Sequence, residues 1–192
     1  MVSIKDVHYF EDEDNFDGLI DAVTDKDRNV RNSAAEALGR IIGKNPDLNR
    51  LEAMNEYRLI IKGLIEAKLK IDEQNFAALQ KLSIIPPENI LKNGYPEDFV
   101  ESLRRKDINL QNLYEKFYAI NPPAGFEKCH NLYLKHIEYL ILNHEYDVKY
   151  YASTRETNED SDLLNNKAKY LNQKALEIGM IAYQEFFRAA LR

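Results

Sequence analysis

The residues of this chain best placed to do chemistry lie within one segment. Glu127-x-x-His130 has the spacing that brings a carboxylate and an imidazole to one helix face, as in di-iron carboxylate bundles. Cys129 stands beside it, and His144 follows on the same helical stripe. A di-metal bundle needs a second Glu-x-x-His and two further glutamates on facing helices, and the sequence contains no second copy. At ~1.5 Å rise per residue, His130 and His144 stand ~21 Å apart and cannot share one ion. The expectation is therefore no metal site and no cofactor, with both histidines satisfied at the ends of a helix core. Cys129 and His130 are adjacent, and neighbouring helical side chains do not face each other, so the pair makes no thiolate–imidazole couple. Cys129 reads as a small packed residue.

The same helix carries a polar-aromatic face, His136, Tyr139, Asn143, Tyr146 and Tyr150. Tyrosine joins a flat apolar ring to a polar tip and is enriched in interface cores, which makes this the candidate protein-binding face. Packing within the chain is the other use of such a face. Of the other two faces of this helix, Tyr133, Ile137, Leu140, Ile141, His144, Val148 and Tyr151 form a broad apolar arc, and Lys135, Glu138, Glu145 and Lys149 a solvated side.

Other chemistries lack their parts. There is no Gly-x-x-x-x-Gly-Lys and no Gly-x-Gly-x-x-Gly, hence no phosphate-cradling loop. A single cysteine excludes an internal disulfide framework and a cysteine-based zinc site. The net charge of −6 is concentrated at the start of the chain, where Glu11, Asp12, Glu13, Asp14 and Asp17 cluster. An acidic chain without a basic stripe is poorly matched to nucleic acid. The acidic cluster reads as helix N-terminal residues placed favourably on a macrodipole, or as a lure for a basic partner. No apolar run approaches 20 residues, and Met1 to Asp14 lacks an apolar signal core, so no membrane span and a cytoplasmic location are expected.

The elements that must position these residues are helices. Apolar residues recur at three- and four-residue steps, and seven glycines with six prolines are too few for a turn-dense β fold. The periodicity predicts helices near 16–24, 28–43, 47–70, 74–83, 97–106, 110–120, 123–152 and 163–190. Pro46 closes the second, Pro86-Pro87 to Tyr95-Pro96 is the clearest linker, and Thr154 to Asp162 is a polar loop.

Phe16 to Ile42 forms a helix–turn–helix pattern, with Asp25-Lys26-Asp27 as the turn and Asp25 or Asp27 as the cap of the second helix. Leu19, Asp25, Val30-Arg31, Ala34, Ala37-Leu38-Gly39 and Ile41 resemble a HEAT repeat, of the type also seen in phycobilin-lyase-like repeat proteins. The resemblance implies a helical scaffold that binds other proteins, no chemistry, and a structural role for Asp25 and Arg31. One such unit cannot bury its own faces, so a second is sought. Gly18-Leu19-Ile20-Asp21-Ala22 recurs as Gly63-Leu64-Ile65-Glu66-Ala67, and Ala34-Ala35 and Ile41-Ile42 as Ala77-Ala78 and Ile84-Ile85. A third copy around Phe99 to Ile120 is weaker.

The final helix repeats alanine at heptad spacing, Ala168, Ala175, Ala182 and Ala189, with Leu164, Leu171 and Ile178 between them. Such a seam calls for one close partner helix, most simply the helix over 123–152. A second stripe, Leu176, Met180, Tyr183 and Phe187, lies beside it.

The expected architecture is all-α, with HEAT-like helical repeats packed on a long antiparallel helical hairpin: a repeat region over 1–85, a linker with short helices over 86–121, and the hairpin over 122–192. The expected function is a non-enzymatic protein-interaction scaffold or regulatory adaptor. Its partner would be another protein, not nucleic acid or membrane, with a homodimer through the alanine helix as a variant. The alternative is an enzyme or small-molecule binder whose cavity, between the repeat region and the hairpin, is lined by His130, Tyr133 and His144.

Overall fold

Ser3 opens the first helix with a reciprocal cap: its hydroxyl accepts from the Asp6 backbone N–H at 3.3 Å, and its own N–H donates to the Asp6 carboxylate at 2.7 Å. This helix, α1 (Ile4–Asp12), was not anticipated from periodicity. The computed structural model describes residues 2–44, 48–152 and 158–191. Among them are eight helices and no strand: α1, α2 (Phe16–Ala22), α3 (Arg28–Lys44), α4 (Leu48–Ser83), α5 (Pro87–Asn93), α6 (Glu97–Tyr118), α7 (Glu127–Ala152) and α8 (Asn158–Leu191). Pro46 and residues 154–157 of the expected polar loop lie outside the described residues, and Asn158 to Asp162 already belong to α8.

Two breaks expected from the sequence are absent. The helices read near 47–70 and 74–83 are one, α4, and those near 97–106 and 110–120 are one, α6. Neither junction holds a proline or glycine, and in α4 the Lys68–Asp72 ion pair, 2.6 Å at i,i+4, spans the anticipated gap. A second helix–turn–helix copy would need a turn between Ala67 and Ala77, where α4 runs on unbroken. The helix expected from residue 123 begins at Glu127. Gly125 adopts φ +91° after Pro122-Pro123, and its N–H donates to the Glu127 carboxylate.

The chain condenses into two compact units. The first comprises Met1–Leu59, Pro122–Tyr133 and Ile178–Arg192; the second comprises Ile60–Asn121 and Leu134–Glu177. Both cut across the sequential division into 1–85, 86–121 and 122–192.

In the first unit α1, α2 and α3 enclose a core of Val7, Leu19, Ile20, Val23, Val30, Ala34 and Leu38, joined by Phe187 of α8. A Cβ on Gly18 would sit 2.9 Å from Asn15 and 3.0 Å from the Phe10 ring, so the close approach of α1 to α2 requires glycine there. Arg31 donates to the carbonyls of Asp25 and Lys26 at 2.8 and 3.0 Å, while the Asp25 carboxylate accepts from the Asp27 N–H. Arg31 thus fastens the turn between α2 and α3. Glu11 lies at the C-terminal end of α1, where the macrodipole disfavours an acid. The guanidinium of Arg40 meets it in a two-point contact, both bonds 2.7 Å, and holds its carboxyl below the usual range.

In the second unit Phe99, Val100 and Leu103 of α6 form a core with Ala78 and Leu82 of α4 and Val148 and Tyr151 of α7. Three of the four alanines of the α8 stripe are buried: Ala168 is 3% exposed, and Ala175 and Ala182 are fully covered, while Ala189 is half-buried. The carbonyls of Ala168, Ala175 and Ala182 each accept a side-chain hydrogen bond from α7. Asn143 donates to Ala168 at 2.9 Å and His136 Nδ1 to Ala175 at 2.7 Å in the second unit; Cys129 Sγ donates to Ala182 at 3.2 Å in the first. Donors and acceptors both recur every seven residues, in opposite chain directions.

Enlarging the seam should separate the two helices. Ala175→Leu is expected to destabilise the protein by about 1–3 kcal/mol in chemical denaturation, the usual range for overpacking. Lys174→Leu, at the neighbouring half-exposed position where the ammonium pairs with Glu177 at 2.7 Å, should cost less than about 1 kcal/mol.

Candidate functional site

The five residues of the polar-aromatic face on α7 all lie half-buried. His136 and Asn143 spend their donors on the α8 carbonyls, which places the protonated nitrogen of His136 at Nδ1. Burial lowers the His136 pKa, against the opposing effect of the Ala175 carbonyl. Tyr146 is covered by the Lys149 ammonium, 4.9 Å from its ring centroid, and Tyr150 stacks edge-on with Tyr151. Tyr139 completes the face. His136 and Asn143 therefore have an internal task, holding α7 against α8.

In the first unit, Tyr57 of α4 is fully buried among Phe126, Phe186 and His130. Its hydroxyl shares a 3.3 Å hydrogen bond with His130 Nδ1, a partner that no local sequence pattern announces across 73 residues. Burial pushes the Cys129 thiol up to about 12 and the Tyr57 and Tyr133 phenols upward as well. A thiol held protonated is the reverse of an activated nucleophile. Glu185, also buried, is pushed up by desolvation but pulled down further by its bonds to Lys128 at 3.0 Å and Arg188 at 2.8 Å. Tyr133 and His130 belong to this unit, whereas His144 belongs to the other. Among the described residues, no group of three His, Cys, Asp or Glu side chains is arranged to hold a metal ion.

The second unit contains a charged knot that sequence reasoning did not pick out. Asp72 of α4 accepts from Lys68 at 2.6 Å and from Lys106 of α6 at 3.0 Å. Desolvation opposes its ionisation, and the two ammonium groups prevail and lower its pKa. Close by, His144 Nε2 donates to the Leu103 carbonyl at 2.8 Å, and burial depresses its pKa to about 4 with a further push from Lys106. Asp107 and Asp147 are raised, mainly by burial; Glu145 adds to the effect on Asp107, and Lys106 moderates it on Asp147. One oxygen of Asp107 accepts from Gln111 at 3.0 Å, and the other, Oδ1, is buried without a partner among the described residues. Ion pairs of Asp72 join α4 to α6, and the neutral His144, bonded to the Leu103 carbonyl, joins α7 to α6.

Two open surfaces of this unit involve α4. Ile65, Leu69, Phe76 and Leu79 of α4 are between 41 and 59% exposed. At 100° per residue they fall within an arc of about 80°, an apolar stripe in two pairs, Ile65 with Leu69 and Phe76 with Leu79, with the ion-paired Asp72 between them. On another side of α4, a groove of about 540 Å³ runs between α4 and α6. The stripe was hidden from sequence reading because α4 was divided in two, which put Ile65 and Phe76 on different helices. No protein-family model, curated protein or solved structure matches the chain.

The knot has consequences for pH. His144 titrates near 6.5 when unfolded and about 4 when folded, so the unfolded state takes up its proton first as pH falls. Stability should be intact above about pH 6.5 and decline toward pH 4; in His144→Gln the pH-dependent slope of chemical-denaturation midpoints should be shallower. Asp107 has the opposite sign. Its folded pKa lies above the ordinary 3.8, so its favourable contribution is present below that value and lost as pH rises through the folded pKa. Asp107→Asn should therefore raise the melting temperature at pH 7, with the gain shrinking toward pH 3.

Proposed function

We propose that this chain is a non-enzymatic protein-interaction scaffold or regulatory adaptor, acting through open helix faces of its second unit, with another protein as partner and the cytoplasm as its location. The observation that carries the reading is the apolar stripe Ile65, Leu69, Phe76 and Leu79. Single exposed apolar residues are ordinary on protein surfaces, but contiguous patches mark interaction sites. The HEAT-like character of residues 16–43 supports the same role, because helical repeats serve as rigid frames from which neighbouring helices present binding faces. A long antiparallel helical hairpin formed by α7 and α8 would supply the second half of that frame. The fate of the polar groups agrees with it: Cys129 is held as a thiol, and His136 and His144 donate to backbone carbonyls.

The stripe is testable without disturbing the core. In Leu69→Glu/Phe76→Glu, circular dichroism and melting temperature should match the parent, because both positions are exposed. Affinity capture from the source cell, followed by quantitative mass spectrometry, should show specific co-purifying proteins with the parent and their loss with the variant. An unchanged set of partners, or none with the parent protein, would count against the reading.

A further inference from the structure

We infer that the groove between α4 and α6 receives an acidic amphipathic helix of a partner protein, an inference that rests on the interaction-scaffold reading and gives it a partner class. The groove follows α4 from Ile71 to Leu82 and α6 from Phe99 to Asn109. At ~1.5 Å per residue these stretches are about 15 Å long, the length of roughly three helical turns. Ala77, Ala78, Leu82 and Ile85 give the groove an accessible apolar lining, over a floor of buried Ile71 and Phe99. The two alanines of α4, Ala77 and Ala78, leave room where larger side chains would fill it.

Charge identifies the occupant. Lys81, Arg105 and Lys106 border the groove against one acid, Asp98, in a protein whose net charge is −6. Lys106 is engaged by Asp72. Lys81 and Arg105 are exposed and make no ion pair among the described residues. Two uncommitted cations beside an apolar channel complement a helix with leucine-like residues on one face and Asp or Glu on its flanks. A small lipid-like ligand is less well served. Ligand pockets bury most of their ligand, and this groove is partly open to solvent.

The test is selection of a displayed library of random 16-residue peptides on the full chain, followed by fluorescence anisotropy with the enriched peptides. The expected winners carry apolar residues at i, i+3, i+4 and i+7 with acidic flanks. Their affinity should fall at least about tenfold for Lys81→Glu/Arg105→Glu, survive in Arg105→Lys, and weaken with salt. Both altered side chains are exposed, and an unchanged melting temperature confirms that the variant is folded. Winners without acidic flanks, winners that bind the charge-reversed variant equally, or no enrichment at all would overturn the inference. So would binding of dodecanoate at the groove in place of any peptide, or self-association of the chain abolished by the same charge reversal. Winners whose binding is lost in Leu69→Glu/Phe76→Glu but kept in Lys81→Glu/Arg105→Glu would refute the groove and leave the scaffold reading standing. If no peptide is enriched and the parent chain also captures no cellular protein, both fail.

Discussion

The contact on which the rest depends is the pairing of α7 side chains with α8 carbonyls. Cys129, His136 and Asn143 reach Ala182, Ala175 and Ala168, and each acceptor belongs to a residue whose side chain is a single methyl group. The two facts require each other. A methyl side chain lets α7 come close, so that short side chains such as those of Cys129 and Asn143 reach carbonyls that already serve the helix. The donors, in turn, gain from those acceptors because Cys129 is buried and His136 and Asn143 are half-buried, largely withdrawn from water. Heptad recurrence keeps the donors and the alanines on facing stripes along both helices.

A different device operates where α4, α6 and α7 meet in the second unit. There Asp72 is shared by two lysines, His144 is kept neutral by burial and bonded to a backbone carbonyl, and Asp107 is held at a cost visible in its raised pKa. Partly exposed ion pairs such as these contribute little net stability, because water screens the attraction and desolvation offsets part of it. Their effect is to penalise rotation of one helix relative to another, since any slip would strand Asp72 or Lys106. The groove runs beside this knot, and Lys106 belongs to both.

α4 illustrates how one helix can serve several masters. Ile61, Leu64 and Ile71 face inward; Ala78 and Leu82 border the groove; Ile65, Leu69, Phe76 and Leu79 face solvent. A helix apolar on so many sides is ordinarily buried. α4 is nevertheless open on part of its circumference, where Ile65, Leu69, Phe76 and Leu79 lie. The half-buried tyrosine face of α7, by contrast, has His136 and Asn143 occupied internally.

The sequence by itself determined that the chain is helical, because apolar spacing and a shortage of glycine and proline leave no other regular structure. It also determined the α2–α3 pair, through its turn acids and Arg31, and the buried stripe of Ala168, Ala175 and Ala182, because heptad alanine has meaning only beside a close neighbour. Local signals were underused at Ser3 and Asp6, whose capping spacing marks α1, and at Pro87, which opens α5. The continuity of α4 and α6 was legible in junctions that hold no proline or glycine; tertiary structure alone decided the sharing of three long helices between two units and the polar partners distant in sequence. Tyr57 with His130, Asp72 with Lys106 and His144 with Leu103 join residues far apart in the chain. Periodicity reports which face of a helix is apolar; which of several apolar faces is covered depends on neighbours that only folding supplies.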